Sequence, residues 1–331
     1  MRVTIAEIAR RARVSKTTVS RVLNNKDDVD AATAIRVREI IAATGYTPSA
    51  RAVGLARGRT QTVGMFVPGL TWPWMGEVLQ GVADVLESHG YGLLLNTMNR
   101  GEESLAQFSR HVSAKAFDGL LLVAPPGTLD YITGLHESGL PVVMVDDRGH
   151  NPGFPSVATD NAVGAAAAAE HLIGLGRERL AVVTGPAEFG CTRDRMAGFA
   201  ATLAEHGLPL HGDLVTEGDF TRDGGRVAVA ALLAAGARFD GVFAHNDLTA
   251  VGVLDALRAA DLKVPTDVAV VGFDDIAVAG HTQPALTTVR QPSREMGEAA
   301  ARLLLALLDG EPAPAEPVVL PTSLVVRESA P

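Results

Sequence analysis

The sequence predicts an α/β protein with a small all-helical head and a large body of two doubly wound parallel-sheet subdomains. Within the first 46 residues, apolar side chains recur at helical spacing behind residues that cap helices. From Gln61 onward, short apolar runs alternate with helical stretches, which is typical of βαβ units. This body of about 270 residues is too long for one sheet of ordinary size, so we expect two similar halves.

The composition of the 331 residues argues against several classes of protein. With 47% hydrophobic residues the chain can fill sizeable cores, so we do not expect disorder. A single thiol, Cys191, cannot form an internal disulfide, and the histidines are not spaced as zinc ligands, so we expect no metal and no cofactor. The N-terminal residues are charged, and no uncharged apolar run of about 18 residues follows. We therefore expect a soluble cytoplasmic protein without a membrane partner.

The net charge of −9 is divided unevenly along the chain. Residues 1–59 contain 12 Lys and Arg against 5 Asp and Glu and carry +7, which leaves 17 basic and 33 acidic residues, or −16, for residues 60–331. A basic head on an acidic body indicates a polyanionic partner for the head alone. Nucleic acid is the obvious candidate.

Two capped helices begin the head. Thr4 followed by Glu7 has the spacing of a capping box, and Ser15 starts a second helix that runs to about Asn24 after a short turn. This is the outline of a helix-turn-helix. A third helix follows, capped by Asp30 and ended by Gly45. Its apolar residues available for packing are Ile35, Ile40 and Ile41.

The second helix has an apolar face and a polar face. The polar face carries Lys16, Thr17, Ser20 and Arg21. Arg and Lys pair with guanine acceptors in the major groove, and Thr offers a hydroxyl or a methyl group. Lys16, Thr17 and Arg21 are therefore candidate base readers. The alternative is the solvated face of a small helical bundle.

Seven apolar runs of the body are predicted strands, with amphipathic or Ala-rich helices between them. The predicted strands are Thr62–Val67, Gly92–Asn96, Gly119–Val123, Val142–Val145, Leu180–Thr184, Gly241–Ala244 and Val268–Gly272. The predicted helices include Glu77–His89, Ala162–Leu175, Arg195–Glu205 and Leu248–Ala260.

Polar and aromatic side chains follow several of these strands. Ligands of open α/β sheets bind outside the carboxyl ends of the strands, so these side chains are candidates for a binding site. The candidates are Trp72, Trp74, Met75, Asp146, Arg193, Arg195, Asn246, Asp247, Asp274 and Asp275. Other interpretations stay open, since Asp247 and Asp275 have residue types that cap helices. The tryptophans fit a core or a dimer interface as well, and Arg193 fits an ion pair with Asp194.

The run from Val3 to Asn24, above all Thr17-Thr-Val-Ser-Arg-Val-Leu-Asn24, resembles the DNA-binding head of the LacI family of bacterial repressors. The resemblance implies that residues 47–59, by composition a linker, form a hinge helix in which Leu55 enters the minor groove. The DNA-binding residues implied are Thr4, Ser15, Lys16, Thr17, Thr18, Ser20, Arg21, Asn24, Arg51 and Leu55. Arg13 departs from the family's glycine in the turn, where a left-handed backbone costs Arg roughly 1 kcal/mol.

Blocks of the body, such as Phe243–Gly252 and Asp267–Asp275, are similar to the family's effector domain, which has a periplasmic-binding-protein-like fold. The effector contacts implied are Asp146, Arg193, Arg195, Asn246 and Asp274, with Phe220, Trp72, Trp74 and Met75 as apolar walls. Trp72-Pro-Trp-Met75 departs from the family's common Asn-Pro-Phe-Phe, and that change alters the shape of the pocket. The implied domains are a head at 1–46, a hinge at 47–59 and a body at 60–331. Within the body, one subdomain takes about 60–159 and 290–320, and the other about 160–289 and 322–331.

These features predict an effector-controlled transcriptional repressor that binds pseudopalindromic double-stranded operator DNA as a homodimer. It would act in the bacterial cytoplasm, on the nucleoid when bound to its operator. The favoured effector is a sugar or sugar derivative, and a purine or other nucleobase is the alternative. A sugar acid or sugar phosphate is a further alternative for the effector, because three arginines, Arg148, Arg193 and Arg195, could bind its negative charge. The basic head argues against a sugar-binding protein without a transcriptional role. We do not expect an enzyme, because the sequence shows no catalytic motif and no G-x-G-x-x-G follows the first predicted strand.

Overall fold

The computed structural model describes residues 3–23, 28–46, 59–123, 128–146 and 153–331. The chain forms two compact units, Met1–Gln61 and Thr62–Pro331. Four residues of the sequence hypotheses, Asn24, Arg51, Leu55 and Arg148, lie outside the described residues. Among the described helices, none is both long and apolar enough to cross a membrane.

The first unit contains three described helices, α1 (Ile5–Ala12), α2 (Lys16–Leu23) and α3 (Ala31–Thr44). Its core consists of Ile8, Ala9, Ala12, Val19, Val22 and Val37. Asp30 caps α3, as predicted, by accepting hydrogen bonds from the backbone N–H groups of Ala32 and Thr33. The expected packing of Ile35 is wrong, because its side chain is 56% exposed. It lies two positions from the buried Val37, and residues two apart point to opposite sides of a helix.

Thr4 caps α1, but the predicted capping box is only half formed. The backbone N–H of Glu7 donates to Thr4 Oγ1 at 3.4 Å. The Glu7 carboxylate is engaged by Arg10 and Arg11 instead, at 2.7 and 2.8 Å. These two cations lower the pKa of Glu7 to about 2, so the carboxylate stays charged at neutral pH.

The second unit contains two six-stranded sheets, which confirms the predicted fold class. The strands are β1 (Thr62–Val67), β2 (Gly92–Thr97), β3 (Gly119–Val123), β4 (Val142–Val145), β5 (Ser156–Thr159), β6 (Leu180–Thr184), β7 (Val215–Glu217), β8 (Gly241–Ala244), β9 (Ala269–Asp274), β10 (Thr287–Arg290), β11 (Val318–Leu320) and β12 (Ser323–Val325). The helices are α4 (Met75–Ser88), α5 (Glu102–Ser113), α6 (Leu129–Glu137), α7 (Asn161–Gly174), α8 (Gly190–Glu205), α9 (Arg222–Ala234), α10 (Asp247–Ala259) and α11 (Ser293–Leu308).

The two sheets share the chain discontinuously. The first sheet has the order β11-β5-β4-β3-β1-β2 and the second the order β12-β10-β9-β8-β6-β7. The pairs are parallel except β10 with β12. The chain therefore crosses between the sheets after β5, after β10 and after β11. Helix α11 returns to the first sheet and packs closely on α4, where Gly297 lies against the backbone of Val78.

Most of the predicted strands are buried along their whole length, because continuous apolar runs mark the interior of parallel sheets, whereas β2 is mostly half-buried. The strands that no prediction covered, β5, β7, β10, β11 and β12, have only three or four residues each. Helix α8 begins at Gly190, five positions before the predicted start at Arg195. The prediction began too late because residues 190–194 have no apolar periodicity that would indicate a helix.

Candidate functional site

The polar face of α2 is accessible in the first unit. The side chains of Lys16, Thr17 and Arg21 are exposed. The Arg21 guanidinium lies 3.0 Å from the Asp28 carboxylate, and both side chains are 54% exposed. Exposed ion pairs contribute about 0–1 kcal/mol, so an anionic partner can replace Asp28 at little cost.

Other predicted DNA-binding residues of the head form helix caps. The backbone N–H of Thr18 donates to Ser15 Oγ at 3.0 Å, and the two hydroxyl oxygens are 2.9 Å apart. Ser15 therefore caps α2, as Thr4 caps α1, and these side chains position the helices. Ser20 is half-buried.

Arg13 adopts the left-handed backbone conformation anticipated for the turn between α1 and α2, with φ 55° and ψ 43°. Its N–H group donates to the carbonyl groups that end α1. A side chain with a Cβ in this conformation costs roughly 1 kcal/mol relative to glycine. The turn is thus formed at a local energetic cost.

A cleft with about 510 Å³ of empty space, part of it open solvent, lies between the two sheets of the second unit. Seven predicted residues line it: Trp72, Trp74, Asp146, Arg195, Phe220, Asn246 and Asp274. Trp72 and Trp74 lie in the loop after β1, and Arg195 lies in α8. The other four lie at or beyond the carboxyl-terminal ends of strands in both sheets, which is where open α/β sheets bind ligands.

Arg195 connects the elements around the cavity. Its side chain is 4% exposed, and its guanidinium carbon lies 3.6 Å from the ring centroid of Phe273. Nε donates to Asn161 Oδ1 at 2.8 Å, and Nη1 donates to the carbonyl oxygen of His245. Nη2 lies 3.8 Å from Asp274 Oδ1. The guanidinium thus links the starts of α7 and α8 with the ends of β8 and β9.

Burial controls the ionisation of the acidic groups near Arg195. It raises the pKa of Asp274 to about 6, although Arg195 and a hydrogen bond from Gln291 Nε2 at 2.6 Å favour the charged form. Asp247 is fully buried, and burial together with the nearby Asp274 charge raises its pKa. It accepts hydrogen bonds from the Thr288 hydroxyl and the Ile276 backbone. Burial also lowers the pKa of His245 to about 3, so the imidazole is neutral at pH 7.

Asn246, rather than Asp247, is the N-cap of α10. Its Oδ1 accepts from the backbone N–H of Thr249 at 2.8 Å, and its Nδ2 donates to the carbonyl oxygen of Phe220 at 3.0 Å. Asp247 is the first residue of the helix, is buried and does not line the cavity. The amide of Asn246 thereby fixes both the start of α10 and the backbone of Phe220.

Several residues around the cavity have left-handed backbone conformations. The φ angles are 60° at Asp146, 63° at Phe220, 117° at Asp274 and 58° at Asp275. Such conformations cost about 1–3 kcal/mol each and concentrate at functional sites. The surrounding structure must hold them, and Asp275 shows how, since Arg290 and Arg327 bind its carboxylate at 2.7 and 2.6 Å.

Two of the nine residues expected at the effector site do not line the cavity. Met75 is fully buried in the core between β1 and α4, because it lies one residue beyond the loop. Arg193 is on the exposed side of α8, and its Nη1 donates to the carbonyl oxygen of Ala187 at 3.3 Å. Residues two apart on a helix point in opposite directions, so only Arg195 faces inward.

Pro73, within the expected wall segment Trp72–Met75, also lines the cavity. Four further residues line it without having been predicted: Phe189, Cys191, Leu248 and Gln291. Gln291 directly follows β10, so a strand prediction over 287–290 would have identified it by the same rule as Asp146. Phe189 and Cys191 were not predicted as site residues because the predicted start of α8, at Arg195, left the true beginning of the helix unrecognised. Within the described ranges, no group of His, Cys, Asp and Glu is arranged to hold a metal ion.

Comparisons with known proteins match both units. The family model for "Bacterial regulatory proteins, lacI family" matches residues 4–49, and that for "Periplasmic binding protein-like domain" matches residues 169–330. Catabolite control protein A of Priestia megaterium is 32% identical over 330 residues, which cover 99% of both chains. The lac repressor dimer bound to operator and the anti-inducer ONPF matches with a TM-score of 0.89 and 26% identity, covering 100% of this chain and 99% of that one. A complex of the transcriptional regulator CelR with cellobiose matches with a TM-score of 0.75 and 34% identity, covering 99% and 100%.

Proposed function

This chain belongs to the LacI family of bacterial regulatory proteins, and from that premise we propose how its DNA-binding head and its cavity work together. It is a DNA-binding transcriptional regulator, not an enzyme. We propose that a homodimer binds a pseudopalindromic operator through two heads, one for each half-site. As a repressor of chromosomal genes it would act in the cytoplasm, on the nucleoid when bound.

The proposed base readers are Lys16, Thr17 and Arg21. Their exposure on one face of α2 is the observation that carries the DNA assignment, since the opposite face, with Val19 and Val22, is buried. Thr4, Ser15, Thr18 and Ser20 are proposed to contact DNA around these readers, with Asn24 at the end of the recognition segment. In the hinge at 47–59, Arg51 would approach the backbone and Leu55 would enter the minor groove.

The proposed effector site is the cavity between the subdomains, and a sugar or sugar derivative is the proposed effector. Carboxylate, amide and guanidinium groups face aromatic rings there, so hydroxyl groups and an apolar sugar face can be bound together. CelR, to which this chain is similar over 99% of its length, forms a complex with cellobiose, and this supports a sugar as the effector. The proposed subdomains are about 60–159 with 290–320, and about 160–289 with 322–331.

Control of DNA binding requires that the effector prefer one arrangement of the subdomains. Residues of both sheets line the cavity, so their separation changes the contacts that a ligand can make. A preference of about 1–3 kcal/mol between two arrangements changes operator affinity by about 5- to 150-fold, and operator DNA changes effector affinity by the same factor.

Operator selection with the full-length protein, followed by Arg21→Ala, tests the DNA assignment. Loss of one base contact should lower specific affinity by about 5- to 150-fold and leave binding to unrelated DNA much less affected. Arg226→Ala, at a half-exposed position on α9, is the matched control and should leave both affinities unchanged. Equal operator affinities for Arg21→Ala and the parent would contradict the assignment of α2 as the recognition helix.

A further inference from the structure

Four aromatic rings of the cavity form a continuous wall from one subdomain to the other. Trp72 and Trp74 follow β1 of the first sheet, while Phe189 and Phe220 belong to the second. Neighbouring ring centroids along the series Trp74, Trp72, Phe189 and Phe220 are 5.9, 6.3 and 5.5 Å apart. The Trp rings are nearly parallel, at 22°, and Phe189 stands edge-on between Trp72 and Phe220. The wall therefore has two separated flat surfaces and is longer than a single sugar ring.

The Phe220 surface is held rigidly. Gly185 lies under the ring, so that a Cβ at this position would overlap it. The Asn246 amide binds the Phe220 carbonyl oxygen, and the Phe189 ring contacts the Phe220 ring at 82°. The left-handed φ of 63° at Phe220 is a local cost that these contacts offset. A rigid, half-buried aromatic ring can stack on the apolar face of a ligand without losing much conformational entropy.

The charges of the cavity favour a neutral ligand. Among its lining residues in the described ranges, Arg195 carries the one positive charge, against Asp146 and Asp274. Arg195 is largely occupied by Asn161, by the His245 carbonyl and by the ring of Phe273. It therefore cannot present a full bidentate fork to a phosphate or carboxylate. The carboxylates of Asp146 and Asp274 can accept hydrogen bonds from hydroxyl groups, and their negative charge opposes the binding of an anion.

On the basis of the proposed function, we propose that the effector is an uncharged saccharide of at least two linked rings. One ring stacks on the Trp72 and Trp74 surface, and the next lies against Phe220. Asp146 and Asp274 accept hydrogen bonds from hydroxyl groups between these positions.

Calorimetric titration of the full-length protein tests the proposal with neutral disaccharides (cellobiose, maltose and lactose), the monosaccharides glucose and galactose, and glucose 6-phosphate. At least one disaccharide should bind about tenfold tighter than either monosaccharide, because it adds a second stacking contact. Glucose 6-phosphate should bind no tighter than glucose. Phe220→Ala should reduce disaccharide affinity to the monosaccharide level and leave monosaccharide affinity within about twofold, whereas Trp72→Ala should weaken both.

Phe220→Leu keeps the bulk of the side chain and should show the same selective loss if Phe220→Ala does not fold. Equal affinity for monosaccharides and disaccharides, or tighter binding of glucose 6-phosphate than of glucose, would overturn the proposal. Operator release by a monosaccharide would then still support the proposed function. If none of these sugars binds while the protein still binds its operator, both the two-ring effector and the sugar class are wrong.

Discussion

Replacement of Asp274 by Asn should remove a defined part of the pH dependence of stability. The folded-state pKa is raised from 3.8 to about 6, so the folded chain binds this proton more tightly than the unfolded chain. The stabilising contribution is complete below pH 4 and is lost as the pH rises through about 6. The difference between a pKa of 3.8 and a pKa of about 6 corresponds to about 3 kcal/mol. Asn cannot ionise, so the variant should lack this loss.

The assay is urea unfolding between pH 4 and 7, followed by tryptophan fluorescence. The chain has two tryptophans, Trp72 and Trp74, and both line the cavity, so the signal reports on the body. The difference in unfolding free energy between the parent and Asp274→Asn should change by about 2–3 kcal/mol over this range. Asp223→Asn, at an 88% exposed carboxylate, is the control and should leave the profile unchanged. If this difference in unfolding free energy changes by less than about 1 kcal/mol between pH 4 and 7, the raised pKa of the buried Asp274 carboxyl is wrong.

Three further predictions rest on local geometry. Arg13→Gly should stabilise the head by about 0.5–1 kcal/mol, measured by hydrogen exchange of α1 and α2, because glycine adopts the left-handed backbone of this turn without strain. If the same variant also shows a weaker salt dependence of operator binding, Arg13 contacts a DNA phosphate. Arg195→Ala should lower the unfolding free energy of the body by about 3–5 kcal/mol in urea and abolish effector-induced changes in tryptophan fluorescence, whereas Arg193→Ala should do neither. Gly198→Ala should cost about 1–3 kcal/mol in the same assay, because its Cβ would overlap the Ala162 backbone between α7 and α8. Gly134→Ala, in open space on α6, should instead be neutral or stabilising by up to about 1 kcal/mol.

Much of the fold could be predicted because the strongest signals are local. Continuous apolar runs identified β1, β3, β4, β6 and β8 with their observed ends. Caps at Thr4, Ser15 and Asp30 marked the three helices of the head. The missed strands β7, β11 and β12 have three residues each, and β5 and β10 contain polar residues that interrupt an apolar run. Without a prediction of β10, the sequence pattern gave no reason to select Gln291.

The candidate site could be predicted only to the extent that strand ends are visible in sequence. Asp146 and Asp274 stand at such ends, and both line the cavity. Met75 and Arg193 were included because they lie next to residues that line the cavity. Met75 is the first residue of α4 and points into the core, and Arg193, two positions before Arg195, lies on the opposite side of α8. Residue type and position along the chain do not specify that direction.

The sequence by itself determined the head with its exposed basic face, the α/β body and the positions where ligand-binding side chains could gather. These features depend on caps, periodicity and charge, which act between residues close in the chain. Only the tertiary structure decided which strands share a sheet, that the largely buried Arg195 is bound by Asn161 and the His245 carbonyl, and that Trp72 meets Phe189 across the cavity. Contacts between residues so far apart in sequence depend on how whole elements pack, and no local pattern encodes them.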